Sequence, residues 1–186
     1  MSTIARTLLV RLAPALSVAA LALACGIRFA SAGSSSFGDT SDAVEMLPSL
    51  DGATAWIQSP PLTAESLRGK VVLVNFWSTS CVTCVEEMPK IVETYKKYRD
   101  RGFETVAVAM SYDPPNYVLA YAVSNKLPFK VALDPVGNVA RSFGDVDATP
   151  TTFVLDKRGR VVARYVGEPD FGKLDELLET KLKEPA

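Results

Sequence analysis

Residues 71–89 read VVLVNFWSTSCVTCVEEMP, and the pattern of this stretch decides the fold. Val71 to Trp77 is an apolar run of strand length, rich in β-branched residues, which predicts a strand covered on both faces. Two cysteines follow in the order Cys81-Val82-Thr83-Cys84. A helix is predicted from Cys81 to Arg101, because apolar residues recur there at spacings of three and four: Val85, Met88, Val92, Tyr95 and Tyr98.

The two cysteines stand at the start of this predicted helix. The first turn of a helix has unpaired backbone N–H groups and carries roughly half a positive charge. A thiolate at Cys81 would be stabilised there, so we expect its pKa to fall from ~8.5 into the range of roughly 3.5–7.5. Cys84 lies one turn further on and can attack a mixed disulfide formed at Cys81. A C-x-x-C within a βαβ pattern therefore predicts a redox pair that alternates between dithiol and disulfide.

Two other uses of the cysteine pair agree less well with the sequence. A zinc site needs about four ligands, whereas the chain has only Cys81, Cys84 and Cys25 and no histidine. A purely structural disulfide between Cys81 and Cys84 would close a very short loop and would restrict the unfolded chain little. We therefore predict no metal site and no bound cofactor.

The elements that flank this stretch predict an α/β chain. Phe103 to Met110 is a second buried strand, and a right-handed crossover would set it parallel to the first. Thr151 to Leu155 and Val161 to Val166 predict a hairpin, so a βαβ unit is joined to a ββα unit with helices on both sheet faces. The other predictions are a strand at Ala53 to Ile57, a short helix at Leu62 to Arg68, a helix at Asn116 to Asn125, a strand at Phe129 to Leu133, a helical turn at Val139 to Phe143 and a closing helix at Asp170 to Lys183.

Residues 1–32 are predicted to be a signal peptide or a membrane anchor. Arg6 and Arg11 form a positive start, and an uncharged, largely apolar run follows from Leu12 to Ile27. At ~1.5 Å per residue this run is short for a hydrocarbon core of ~30 Å. The small residues at 30–32 suit cleavage by a signal peptidase. A cleaved signal peptide and a membrane anchor would both place the remainder of the chain outside the cytoplasmic membrane, in the periplasm.

The segment after the leader divides into a linker and one domain. Residues 33–43 are rich in Ser and Gly and predict a flexible linker, and residues 44–186 are predicted to form a single domain. Lipidation at Cys25, with the leader retained as a tether, is an alternative to cleavage.

Composition narrows the classes of function. Hydrophobic residues make up 48% of the chain and charged residues 22%, a balance typical of a globular protein with a core. Three of the 20 basic residues and none of the 21 acidic ones fall in residues 1–32, so the rest of the chain has a net charge of −4. Such a domain is a poor candidate for binding nucleic acid. The absence of histidine excludes Ser–His–Asp triads and His-based acid–base catalysis.

The stretch 71–89 resembles the TlpA/ResA-like branch of the thioredoxin superfamily. Residues 59–70 (SPPLTAESLRGK) and 148–155 (ATPTTFVL) are similar to the lead-in and the substrate-side loop of the same family, and the resemblance spans about Leu47 to Gly167. It implies a thioredoxin-like fold with an N-terminal extension and a central helical and strand insert.

The resemblance also implies roles for residues on the substrate side. Thr149-Pro150 matches the family's cis-proline, which faces the C-x-x-C and leaves Thr149 free to pair with an incoming peptide. Trp77 matches a tryptophan that packs under the motif and is expected to contribute to substrate binding, although a role in the core suits it equally well. Ser80 stands where many relatives have tryptophan, so the surface that a partner meets should differ there.

Glu87 is the acid that the resemblance implies near the cysteines, where it would tune thiol ionisation and proton transfer. It is expected about one turn beyond Cys84, and a solvated surface acid is the alternative. Asn75 stands where ordinary thioredoxins carry a buried aspartate. Because an amide cannot accept a proton, any acid function falls to Glu87.

Together these features predict a periplasmic thiol:disulfide oxidoreductase acting on protein disulfides. The resemblance implies that its targets are apocytochrome c or copper-delivery proteins for cytochrome oxidase, with electrons relayed from a membrane thiol transporter. Reduction is the preferred direction, although an oxidant would have the same skeleton. Two alternatives stay open: a peroxiredoxin-like peroxidase, for which Val74 stands where proline is needed, and a Cu(I)-binding metallochaperone using the two thiolates.

Overall fold

The computed structural model describes residues 49–53, 55–57 and 59–186. The expected leader (1–32), the expected linker (33–43) and the first five residues of the expected domain lie outside the described residues. Among the residues that are described, no helix is long and apolar enough to span a bilayer.

Six strands and five α-helices follow one another in the described part of the chain. The strands are β1 (Ala55–Ile57), β2 (Val71–Trp77), β3 (Phe103–Ala109), β4 (Lys130–Leu133), β5 (Thr151–Leu155) and β6 (Val161–Val166). The helices are α1 (Ala64–Leu67), α2 (Val82–Tyr98), α3 (Pro115–Ser124), α4 (Asn138–Ser142) and α5 (Phe171–Lys183), and a 3₁₀ turn at Arg99–Arg101 follows α2.

The strands form one mixed sheet in the order β1-β4-β3-β2-β5-β6. β2 and β3 are parallel, as predicted, and β5 and β6 form the predicted antiparallel hairpin. In this register Trp77 pairs with Ala109, and Phe76 pairs with Thr151 on the antiparallel strand β5. The segments that follow β2 and β3 and the segment that precedes β5 therefore meet at one edge of the sheet.

Helices cover both faces of the sheet because successive residues of the buried strands point to opposite sides. In β2, Val71 and Leu73 contact the core formed with α2, α3 and α5, whereas Val72 and Val74 contact the core formed with α1 and α4. The elements α3, β4 and α4 stand between β3 and β5, where the resemblance implies a central insert. The thioredoxin-like α/β fold is confirmed.

Predicted and observed bounds differ mainly at the ends of helices. Helix α2 begins at Val82 and not at Cys81, because Cys81 has an extended backbone (φ −88°, ψ 107°) and caps the helix. The α-helix ends at Tyr98, and the chain then tightens into a 3₁₀ turn that stops at Gly102, where φ is +82°. Such one-turn changes in hydrogen bonding leave the apolar pattern unchanged, so the pattern could not reveal them.

Candidate active site

Cys81 occupies the N-cap position of α2. Its Sγ accepts a hydrogen bond of 3.2 Å from the backbone N–H of Cys84, and its own N–H donates to the carbonyl of Ser78. The sulfur thus receives one of the N–H groups that the first turn of a helix leaves unpaired. This geometry favours negative charge on the Cys81 sulfur.

The two cysteines form a disulfide, and they differ in their access to solvent. Their Cα atoms are 5.2 Å apart, within the range that a disulfide requires. Cys84 is fully buried, whereas Cys81 is partly exposed. Val82, between them, is 71% exposed, so the outer surface of the first turn faces solvent. A partner can therefore approach the sulfur of Cys81 and not that of Cys84.

Thr149 and Pro150 face the disulfide from the segment that precedes β5. The peptide bond between them is cis, as the resemblance implies. The carbonyl oxygen of Thr149 lies 3.6 Å from the Sγ of Cys81, which is within reach of a thiol S–H donor when the pair is reduced. Thr149 is partly exposed and Pro150 is buried. The substrate-side loop is thus in contact with the accessible cysteine.

Glu87 is fully buried, so the alternative that it is a solvated surface acid is wrong. Its Oε1 accepts a hydrogen bond of 2.8 Å from Nδ2 of Asn75, which also donates to the hydroxyl of Thr152 at 3.0 Å. The other carboxylate oxygen of Glu87 and Oδ1 of Asn75 have no partner among the described residues. A buried, half-satisfied carboxyl group therefore lies on the same helix face as Cys84.

Burial controls the ionisation of Glu87. Loss of solvation raises the pKa of its carboxyl group to about 7, and the hydrogen bond from Asn75 opposes this rise. The negative charge of Glu168 raises the pKa of Glu87 further, and the positive charge of Lys90 lowers it. Lys90 and Glu168 form an ion pair with each other. Glu87 can therefore change its protonation state near neutral pH.

The expectation that Trp77 contacts substrate is wrong. Its side chain is fully buried, and its ring packs against Tyr121 with centroids 5.1 Å apart. β2 is a central strand covered on both faces, so its last residue still lies inside the core. Ser80, in contrast, is exposed, and its hydroxyl is 2.8 Å from that of Ser78.

Two residues of the site were missed in the sequence: Tyr112 and Asp113. Asp113 accepts hydrogen bonds from the N–H and the hydroxyl of Thr79, both at 2.6 Å, and the Tyr112 hydroxyl is 3.1 Å from that of Thr149. They follow β3, the parallel neighbour of β2. Since the ends of parallel neighbours share a sheet edge, polar residues just after the predicted second strand were the signal that could have identified them.

The arrangement supports two-cysteine redox chemistry. In the part of the chain that the structure describes, no three Cys, Asp or Glu side chains converge as a metal site would require. The reactive atoms present are the two sulfurs, with a buried acid on the same helix. A cysteine pair that caps a helix opposite a cis-proline defines the class of thioredoxin-like disulfide oxidoreductases.

Comparison with known proteins agrees with this class. The Redoxin family model matches residues 53–178. Thiol-disulfide oxidoreductase ResA of Bacillus thuringiensis subsp. konkukian is 33% identical over 126 residues, which cover 66% of this chain and 70% of ResA. The chain belongs to the Redoxin family, as a ResA-like thiol-disulfide oxidoreductase.

Solved structures share the fold. The solution structure of a Neisseria meningitidis protein assigned as a thioredoxin is 41% identical, with a TM-score of 0.63 over 66% of this chain and 81% of that one. A thiol:disulfide interchange protein from Chlorobium tepidum is 27% identical, with a TM-score of 0.63 over 70% of this chain and 92% of that one.

Proposed function

We propose that this oxidoreductase is a reductant of protein disulfides in the periplasm, with Cys81 as the attacking and Cys84 as the resolving cysteine. The observation that carries the roles of the two cysteines is the asymmetry of the pair, whereas the direction and the compartment are proposed from the family resemblance and the predicted leader. Cys81 is accessible and receives a helix N–H, whereas Cys84 is fully buried behind it. A partner sulfur can reach only Cys81, and Cys84 is one turn away from any mixed disulfide formed there.

The proposed reaction has two steps. The thiolate of Cys81 attacks one sulfur of a partner disulfide, and the other partner sulfur leaves as a thiolate that takes up a proton. Cys84 then loses its proton and attacks Sγ of Cys81, which breaks the mixed disulfide and releases the second partner sulfur. Two electrons pass to the partner, and the chain is left with the Cys81–Cys84 disulfide.

Glu87 is proposed as the group that accepts the proton of Cys84. The Cys84 thiol must lose its proton before it attacks. Because its sulfur is fully buried, water is poorly placed to accept that proton. Glu87 lies three residues after Cys84 on the same buried helix face. A pKa of about 7 lets its carboxylate take a proton near neutral pH and release it again.

The partners are proposed from the family. The substrates would be disulfides of apocytochrome c or of copper-delivery proteins for cytochrome oxidase, and a membrane thiol transporter would reduce the Cys81–Cys84 disulfide again. Residues 1–32 would direct the chain to this compartment, as a cleaved signal or as a membrane tether.

The reduction potential of the Cys81/Cys84 couple tests the direction of the reaction. The potential is measured by equilibrating the chain with dithiol buffers and counting alkylated cysteines by mass, in a Cys25→Ser background so that only the pair reacts. A reductant should have a value near the ~−270 mV of thioredoxin. A value near the ~−120 mV of DsbA would contradict the proposal and indicate an oxidant.

A further inference from the structure

The loop that joins β3 to α3, residues 110–114, contacts both sides of the redox site. At its start, the N–H of Met110 donates to the carbonyl of Trp77, the last residue of β2. The loop then supplies two neighbouring side chains, Tyr112 and Asp113, which reach in different directions. Neither lies in β2, α2 or β5, the elements that carry the cysteines and the cis-proline.

Asp113 holds the turn that leads into Cys81. Its side chain is buried, and both of its carboxylate oxygens accept hydrogen bonds from one residue, Thr79. One bond comes from the backbone N–H of Thr79 and one from its hydroxyl, so the peptide and the side chain are both fixed. Thr79 stands two residues before Cys81, and its orientation determines where the chain enters α2.

Tyr112 holds the opposite side of the site. Its hydroxyl lies 3.1 Å from the hydroxyl of Thr149, whose carbonyl oxygen is 3.6 Å from Sγ of Cys81. Tyr112 is nevertheless 56% exposed, although a tyrosine ring is more stable when covered. A polypeptide bound at Thr149 would therefore cover part of this ring.

We propose that Tyr112 and Asp113 are positioning residues that fix the spacing between Cys81 and Thr149, and that Tyr112 also contacts the partner polypeptide. The second part rests on the proposed function, since it requires a protein substrate. Asp113 acts through Thr79, and Tyr112 acts through Thr149. Neither residue contacts the reacting sulfurs, so each acts indirectly: Asp113 through the position of Cys81 at the start of α2, and Tyr112 through the position of Thr149.

The contact at Asp113 is tested without any partner, by the rate at which iodoacetamide alkylates Cys81 in the reduced Cys25→Ser chain. Thr79→Val removes the hydroxyl and keeps the side-chain volume, and we expect the rate to fall about three- to tenfold, the equivalent of one hydrogen bond. Thr79→Ser keeps the hydroxyl and should restore the original rate. An unchanged rate in Thr79→Val, or an equal loss in Thr79→Ser, would overturn this part.

The contact at Tyr112 is tested by steady-state reduction of insulin, with an aromatic disulfide of low molecular mass as the small substrate. Tyr112→Phe removes the hydroxyl that reaches Thr149 and should raise KM for insulin about three- to tenfold, whereas the rate with the small disulfide should change less. Tyr117→Phe, at a tyrosine of similar exposure on α3, is the matched control and should change nothing.

Two outcomes separate this inference from the proposed function. If KM for insulin is unchanged in Tyr112→Phe, or if the small substrate is affected equally, Tyr112 has no role in positioning the partner. If the unaltered chain reduces the small disulfide but reduces neither insulin nor a disulfide-bonded apocytochrome c, the proposed function is wrong, and the alkylation rates still decide the role of Asp113.

Discussion

Asn75 donates a hydrogen bond of 2.8 Å to Glu87, and this bond joins the centre of β2 to the buried face of α2. The strand thus supplies an amide, and the helix supplies the only carboxyl group of the pair. Because burial raises the pKa of Glu87 to about 7, its charge changes near neutral pH.

The first prediction concerns stability against pH. The folded chain keeps the proton of Glu87 up to about pH 7, whereas the unfolded chain releases it near the ordinary value of 4.5. Stability is therefore lost as pH rises through this window, and we expect the free energy of unfolding to fall by up to roughly 3 kcal/mol. The free energy of unfolding is measured by urea unfolding of the oxidised chain at several pH values.

Glu87→Gln should remove this part of the pH dependence, because a neutral amide has no proton to lose. Glu86→Gln is the matched control, since Glu86 is the exposed neighbour of Glu87 on the same helix. If the free energy of unfolding depends on pH with the same slope in Glu87→Gln and in the unaltered chain, the Glu87 carboxyl group does not titrate as described.

The second prediction concerns Asn75→Asp, which restores the acid of ordinary thioredoxins. Two carboxyl groups would then stand at hydrogen-bond distance, and one must stay protonated because like charges this close cannot both ionise in a buried site. The free energy of unfolding should fall more steeply above about pH 7 than in the unaltered chain. Asn116→Asp, at an exposed position, serves as the control and should keep the original slope.

The third prediction concerns the resolving step. If Glu87 accepts the proton of Cys84 as proposed, Glu87→Gln should release a trapped partner from its mixed disulfide about 10²-fold more slowly at neutral pH. Rapid-quench analysis of the mixed disulfide formed with a single-cysteine peptide follows this release. Equal release rates in Glu87→Gln and Glu86→Gln would remove Glu87 from proton transfer.

The fourth prediction concerns Trp77, which lies in the core. Trp77→Phe should lower the free energy of unfolding by about 1–3 kcal/mol, because it leaves space beside Tyr121. The ratio of rates with insulin and with a small disulfide should not change, since Trp77 is not exposed to a partner. A changed ratio would support the predicted substrate role of Trp77, and an unchanged free energy of unfolding would contradict its place in the core.

Local patterns were sufficient for much of the fold. The observed bounds of β2, β5 and β6 coincide with the predicted ones, because each is an apolar or β-branched run with clear turn residues beside it. The redox pair could also be predicted from the sequence, since few other functions require two cysteines in this spacing directly after a buried strand. The identity of Pro150 as a cis residue needed the family resemblance, because the sequence around it also suits an ordinary strand start.

Contacts between distant segments could not be predicted in the same way. The bond between Asp113 and Thr79 joins residues 34 positions apart, and it exists because β2 and β3 end in register at the same sheet edge. The burial of Glu87 depends on which strand residue lies beneath α2, and only the packed structure places Asn75 there. Helical spacing by itself could not distinguish Glu87 from its exposed neighbour Glu86.

The division of labour between the two cysteines is tested most directly by trapping a mixed disulfide. Cys84→Ser and Cys81→Ser, both in a Cys25→Ser background, are incubated with a protein disulfide, and the adducts are mapped by mass spectrometry. We predict a stable adduct on Cys81 in Cys84→Ser and none in Cys81→Ser, because the sulfur of Cys84 is buried. Equal adducts in the two variants would contradict the account.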